Sequence, residues 1–175
     1  STLMNTLTGA NVLVEYQLFA TLGTRTRRWH LPGWGPVLLS DTVGFIRHLP
    51  HRLIASFKAT LEEARQADLL LHVADASNPA VIDQIAAVYD VLEEIGIEEK
   101  NTVLVLNKID QLNDGHRLDP VLHYYPNAVR ISAVTGEGLP KLARAVSDAS
   151  SEKSMFLRIA IKATARYMAP VSIYR

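Results

Sequence analysis

Three short clusters in this 175-residue chain carry residue types suited to holding a nucleotide. Asp41-Thr42-Val43-Gly44 offers a carboxylate that can hold Mg²⁺ through a water, and a glycine whose backbone N–H can point at a terminal phosphate. Only Gly lets the main chain come that close. In Asn107-Lys108-Ile109-Asp110, the two acceptor oxygens of Asp110 match the ring N–H and exocyclic amine of guanine. Adenine offers no such pair of donors. Asn107 can brace the base and the neighbouring loops, and the aliphatic stem of Lys108 can lie along the ring face. Ser132-Ala133-Val134, followed by Thr135-Gly136-Glu137-Gly138, places the Ala133 N–H to donate to the guanine carbonyl oxygen. Taken singly, each cluster is a pattern that ordinary loops also show. Their order is more specific, with 66 residues from Asp41 to Asn107 and 25 from Asn107 to Ser132.

The elements that must position these clusters are short. Val37 to Ser40, Leu69 to Ala74, Thr102 to Leu106 and Val129 to Ser132 are brief apolar runs that read as strands buried on both faces. Each cluster directly follows one of them, and ligands of open α/β sheets sit beyond the carboxyl ends of the strands. Leu53, Phe57, Leu61 and Ala64 fall on one helical stripe, and Val81, Ile82, Ile85, Val88, Tyr89, Leu92 and Ile95 on a second. Asn78, Pro79 and Gly96 mark the ends of the second helix. Leu139, Leu142, Ala143 and Val146 predict a third. Strands alternating with helices give an α/β class with a mostly parallel sheet and helices on both faces. Residues 147–154 read as a polar linker, and Met155 to Ile161 as one more strand opening an incomplete C-terminal domain. The division is therefore 1–150 and 151–175.

Composition narrows the class further. Apolar residues at 48 % and charged residues at 21 % fit a globular mixture rather than a disordered chain or a coiled coil. No apolar run has membrane-span length. The absence of cysteine excludes disulfides, thiolate zinc sites and Cys nucleophiles, and suits a reducing cytoplasm. The six His show no metal spacing. Eighteen basic and eighteen acidic residues balance in sum but not along the chain. From Thr24 to Lys58 there are six Lys or Arg, three His and only Asp41 on the acidic side; from Glu62 to Glu99 there are ten acids and only Arg65. Such a basic region either solvates a face or meets phosphate, of a nucleotide or of RNA. Trp29 and Trp34 read as packing residues, and His72, inside an apolar run, as a core histidine.

With these motifs the chain resembles the G domain of translation-factor-class P-loop GTPases, and most closely the HflX family of ribosome-associated GTPases. The resemblance is carried by Gln17 to Leu22, by Ser40 to His51, by Phe57 to Glu63, by Leu71 to Ala76 and by Asn107 to Asp110. It implies a first switch at Phe19, Ala20, Thr21, Leu22 and Gly23, in which Thr21 supplies its hydroxyl to Mg²⁺. Gly23 stands where the family usually has Asp. Ser1-Thr2-Leu3-Met4-Asn5 is similar to the tail of a GKST-L-x-N loop, which makes Ser1 a Mg²⁺ ligand and Thr2 a nucleotide contact. On this reading the chain is a fragment without its first strand and most of the phosphate-binding loop. That strand belongs between the one ending at Ser40 and the one ending at Ala74, so its two neighbours are expected to be unpaired. Weak GTP binding and marginal folding of the piece alone follow.

Further implications come from the family. Phe45 occupies the position where many signalling GTPases carry the Gln that orients the attacking water, so no catalytic residue is assigned. GTP and GDP are the implied ligands and Mg²⁺ the cofactor, with the large ribosomal subunit, its RNA and protein, as partner. Arg25, Arg27, Arg28, Arg47, His48, His51 and Arg52 flank both switches. No DNA specificity and no membrane span are expected. The implied location is the cytoplasm, with peripheral membrane association compatible. A rival reading is a nucleotide-free interaction module that keeps only the scaffold. A dinucleotide-binding enzyme is remote, because no GxGxxG follows any strand.

Overall fold

The computed structural model describes residues 2–9, 25–41, 65–94, 96, 102–150 and 158–163. Six strands form one sheet: β1 (Arg25–Leu31), β2 (Gly35–Asp41), β3 (Leu69–Asp75), β4 (Thr102–Asn107), β5 (Val129–Arg130) and β6 (Arg158–Ala163). Their spatial order is β1-β2-β6-β3-β4-β5. β1 and β2 are antiparallel, and every other pairing is parallel. The helices are α1 (Thr2–Thr8), α2 (Val81–Glu94), α3 (Asp119–Tyr124) and α4 (Leu139–Ala149).

The core lies on both faces of the sheet, as an α/β layering requires. Six of the seven residues of β3 are buried, so its uninterrupted apolar run reflects cover on two sides. One face joins Leu3 and Met4 of α1 and Leu142 and Val146 of α4 to Leu39, Leu71, Val73 and Val105. The other joins Val81 and Ile85 of α2 and Val121 of α3 to Ala74, Leu104 and Leu106, while Val88 and Leu92 cover Leu70. His72 is fully buried there, its ring edge-on to Tyr89 with centroids 5.3 Å apart.

Local chemistry sets the ends of α2. The Asn78 side-chain oxygen accepts from the Ala80 N–H at 2.9 Å, Pro79 precedes the first turn, and Gly96 takes φ 76° beyond the exit. By contrast, α4 runs to Ala149, so the first three residues of the expected linker are helical. The Ser150 hydroxyl then closes on the Val146 carbonyl at 2.6 Å.

Two strands differ from expectation. β1 carries Arg25, Arg27 and Arg28 in place of an apolar run, and pairing supplies what its sequence lacks. All seven of its residues are in register with β2 across the Pro32-Gly33-Trp34 turn. β6 is the larger difference. Residues expected to open a second domain instead occupy the slot between β2 and β3, parallel to both. The two strands are not left unpaired. Each presents a ladder edge to the same gap, and an extended segment containing Ile159 and Ile161 satisfies both.

Candidate functional site

The parallel strands all end at one edge of the sheet, and the residues at or just beyond the ends of β2, β3, β4 and β5 are acidic, amide-bearing or hydroxylic. β2 ends at Asp41, β3 at Asp75 and β4 at Asn107, and Ser132 follows shortly after β5. Register places Asp75 level with Asn107, and Leu106 level with Arg130. Asp41 is half-buried at the β2 end of this edge. Between the Asp41 and Asn107 strands lie three inter-strand gaps, about 14 Å across the sheet.

Asn107 ties two loops together with a single oxygen. Its Oδ1 accepts from the Lys108 N–H at 2.8 Å and from the Ala133 N–H at 3.0 Å. Asn107 thus links the loops that follow β4 and β5. The Ala133 N–H, expected to meet the guanine carbonyl oxygen, is directed at Asn107 Oδ1 in this structure. Asp110 is exposed in a short 3₁₀ turn, Ile109–Gln111. Ile109 donates to the Ile131 carbonyl at 3.2 Å, joining this turn to the strand that precedes Ser132.

The Ser132 loop is closed by its own hydrogen bonds. Ser132 is buried; its hydroxyl oxygen accepts from Thr135 N–H at 3.1 Å, and its carbonyl from Gly136 N–H at 2.9 Å. Its own N–H donates to the Glu137 carbonyl at 2.9 Å. Gly138 then adopts φ 76°, and a Cβ there would lie 2.1 Å from the Arg130 carbonyl oxygen. Only glycine fits. Helix α1 reaches the same loop, with the Thr6 hydroxyl donating to the Ala133 carbonyl at 2.7 Å. Val134 is exposed beside it.

Asp75, which the Leu71–Ala76 motif contains without a role assigned to it, also lies at this edge. The Asp75 Oδ2 accepts from the Lys108 ammonium at 2.5 Å, and Oδ1 from the Ser77 N–H at 3.0 Å and the Ser77 hydroxyl at 2.5 Å. Burial would raise this carboxyl, but bonds from Lys108 and Ser77, and the Lys108 charge, outweigh it and hold it below the usual value of 3.8. The signal was available: Asp75 follows an apolar strand just as Asp41 and Asn107 do.

Ser1, Phe19 to Gly23, and Thr42, Val43, Gly44 and Phe45 lie outside the described residues, as do Arg47, His48, His51, Arg52 and the Leu53–Ala64 stripe. Thr2 is exposed at the start of α1. Of the basic stretch, Arg28 and His30 are exposed on one face of β1, while Arg27 donates to the Asn5 side-chain oxygen at 2.6 Å. Trp29 is buried and Trp34 half-buried against the core. Among the described residues no group of three or more His, Asp or Glu is placed to hold a metal ion, and no helix is long and apolar enough to cross a membrane.

Known proteins share this arrangement. The sequence profile described as 50S ribosome-binding GTPase matches residues 1–108. The GTPase HflX of Escherichia coli is 52 % identical over 149 residues, covering 85 % of this chain and 35 % of that protein. The GTPase HflX of Chlamydia pneumoniae is 46 % identical over 159 residues, covering 91 % and 34 %. This chain thus spans about a third of the length of the curated relatives it matches. Among solved structures, SsGBP in complex with GDP superposes with TM-score 0.67 at 26 % identity, over 86 % of this chain and 46 % of that one. Aquifex aeolicus Era bound to GDP and aluminium fluoride shares the fold, with TM-score 0.63 at 20 % identity over 88 % and 54 %. A P-loop GTPase fold, the family's sequence motifs at its carboxyl edge and this extent of identity agree: the chain belongs to the 50S ribosome-binding GTPases, in their HflX group.

Proposed function

We propose that this protein binds GTP and GDP at the carboxyl edge of its sheet, hydrolyses GTP, and associates with the large ribosomal subunit in a nucleotide-dependent way. One observation carries the reading. Asn107 joins the Asn107–Asp110 and Ser132–Val134 segments through two hydrogen bonds, leaving the exposed Asp110 carboxylate beside them. Such a cluster suits a purine bearing two adjacent donors.

Mg²⁺ fits this chemistry. Asp41 at the end of β2 would hold it through a water, with the hydroxyls of Ser1 and Thr21 as direct ligands by family resemblance. The ion supplies charge neutralisation at the phosphates when bound. It usually keeps waters and phosphate oxygens in its shell and needs no cage of protein carboxylates. The exposed Arg28 and His30 belong to a basic stretch suited to ribosomal RNA phosphate.

Phe45 cannot hydrogen-bond an attacking water, so basal turnover is slow and the ribosome completes the site. GTP turnover is measured with and without 50S subunits. The reading expects clear stimulation of the wild type and increased basal turnover in Phe45→Gln; no stimulation together with an inert Phe45→Gln would contradict it. The rival reading, a nucleotide-free interaction module, draws on the Ala133 N–H already being directed at Asn107. Equilibrium dialysis with GTP, GDP and ATP separates the two.

A further inference from the structure

Lys108 is the one non-glycine residue with positive φ among the described residues, at φ 70° and ψ 34°. An L-residue rarely stays there without being held. Its backbone is held at both ends: the N–H donates to Asn107 Oδ1 at 2.8 Å, and the carbonyl accepts from the Gln111 N–H at 3.0 Å. Its side chain is held as well, because the ammonium donates to Asp75 Oδ2. Asp75 in turn is fixed by two bonds from Ser77, and the Ser77 hydroxyl lies 3.4 Å from Gln111 Oε1. The ends of β3 and β4 are joined through this one carboxylate.

With backbone and ammonium both tethered, the four methylenes of Lys108 have little freedom left. The side chain is nevertheless 38 % exposed, against 14 % for Asp75. It therefore presents an ordered apolar strip, and its charge is already spent on a carboxylate. We propose that Asp75 is a positioning residue for the base: by anchoring the Lys108 ammonium, it sets the methylene stem as one wall of the purine pocket before a nucleotide arrives. This rests on the reading that Asn107–Asp110 receives guanine. Ordering a long side chain during folding rather than during binding removes that cost from the binding step.

The test uses NMR titration of this 175-residue chain with guanosine and inosine diphosphates. Inosine lacks the exocyclic amine, so Asp110 distinguishes the two bases, whereas a wall under the ring contacts both alike. Asp75→Asn is expected to weaken both ligands by a similar factor, roughly fivefold. Asp110→Asn is expected to narrow the preference for guanosine over inosine. Lys108→Met keeps the stem but lacks the tether, so adding Asp75→Asn to it should cost nothing further.

If Asp110→Asn lowers guanosine binding while Asp75→Asn and Lys108→Met leave it unchanged, the positioning role is overturned and the base site stands. Should the wild type show no guanosine-dependent shifts at residues 107–110, the base site itself fails and takes the proposal with it. If Asp75→Asn does not fold, Lys108→Met breaks the same pair from its exposed end. A weaker and equal loss for both ligands then supports the role, and unchanged affinity overturns it.

Discussion

On the proposed reading, guanine recognition rests on very few atoms: two oxygens of Asp110, one oxygen of Asn107, and the backbone that Gly138 permits. Gly138 is the most constrained of these positions, since a methyl group there would collide with the Arg130 carbonyl. Gly138→Ala should therefore destabilise the fold by about 3 kcal/mol, as read by urea denaturation. Its effect should include disturbed amide signals at Ser132 and Ala133. A change below about 0.5 kcal/mol would show that the turn can move aside. Asp75 makes a pH-dependent prediction. Its folded-state carboxyl titrates below the unfolded value, so its stabilisation is in place above 3.8 and disappears as pH falls through the lowered folded value. A carboxyl NMR titration should place Asp75 below 3.8, and Lys108→Met should move it back up. A wild-type value at or above 3.8 would remove the pair from the account. These single-residue roles were unevenly legible. Asp110 and Asn107 announce themselves by a motif, whereas the Asp75–Lys108 pair joins positions 33 residues apart and becomes visible only when β3 and β4 lie in register.

At the scale of elements, membership of the apolar strands was readable and strand placement was not. β3 and the centre of β4 carry apolar runs because the sheet buries both their faces, whereas β2, expected to be buried on both faces, alternates, with Val37 and Leu39 buried. β1 has no such run; its strand character comes from pairing with β2, which no window of seven residues contains. β6 shows the same limit more sharply. Its residues read as a strand, but the slot they take lies among strands formed more than 80 residues earlier. Within that slot RIAIKA is a compromise, with two basic residues among its six. A central strand covered on both sides is ordinarily apolar throughout. Removing residues 151–175 should still harm the fold, because β2 and β3 each lose a parallel ladder. The expected result is a thermal midpoint lower by roughly 10 °C, or loss of the cooperative transition. An unchanged midpoint would mean that β6 does not hold the sheet together.

For the whole molecule, the α/β class and the GTPase family were legible before any coordinates, because three ordered clusters after three strands constrain the topology as well as the chemistry. Placement of the basic stretch was less so: Arg28 and His30 are exposed, but Arg27 is engaged with Asn5. Charge counting cannot make that distinction. The central claim is that Asp110 selects guanine by pairing with its two adjacent donors. It is tested most directly by equilibrium dialysis of the wild type and Asp110→Asn with GTP, xanthosine triphosphate and ATP. An Asn at this position offers one donor and one acceptor, which suits xanthine and mismatches guanine. The account predicts weak but selective binding of GTP over ATP by the wild type, a loss of roughly 30-fold for GTP in Asp110→Asn, and a gain for xanthosine triphosphate. Equal binding of GTP and ATP by the wild type, or an Asp110→Asn chain with unchanged preference, would contradict it.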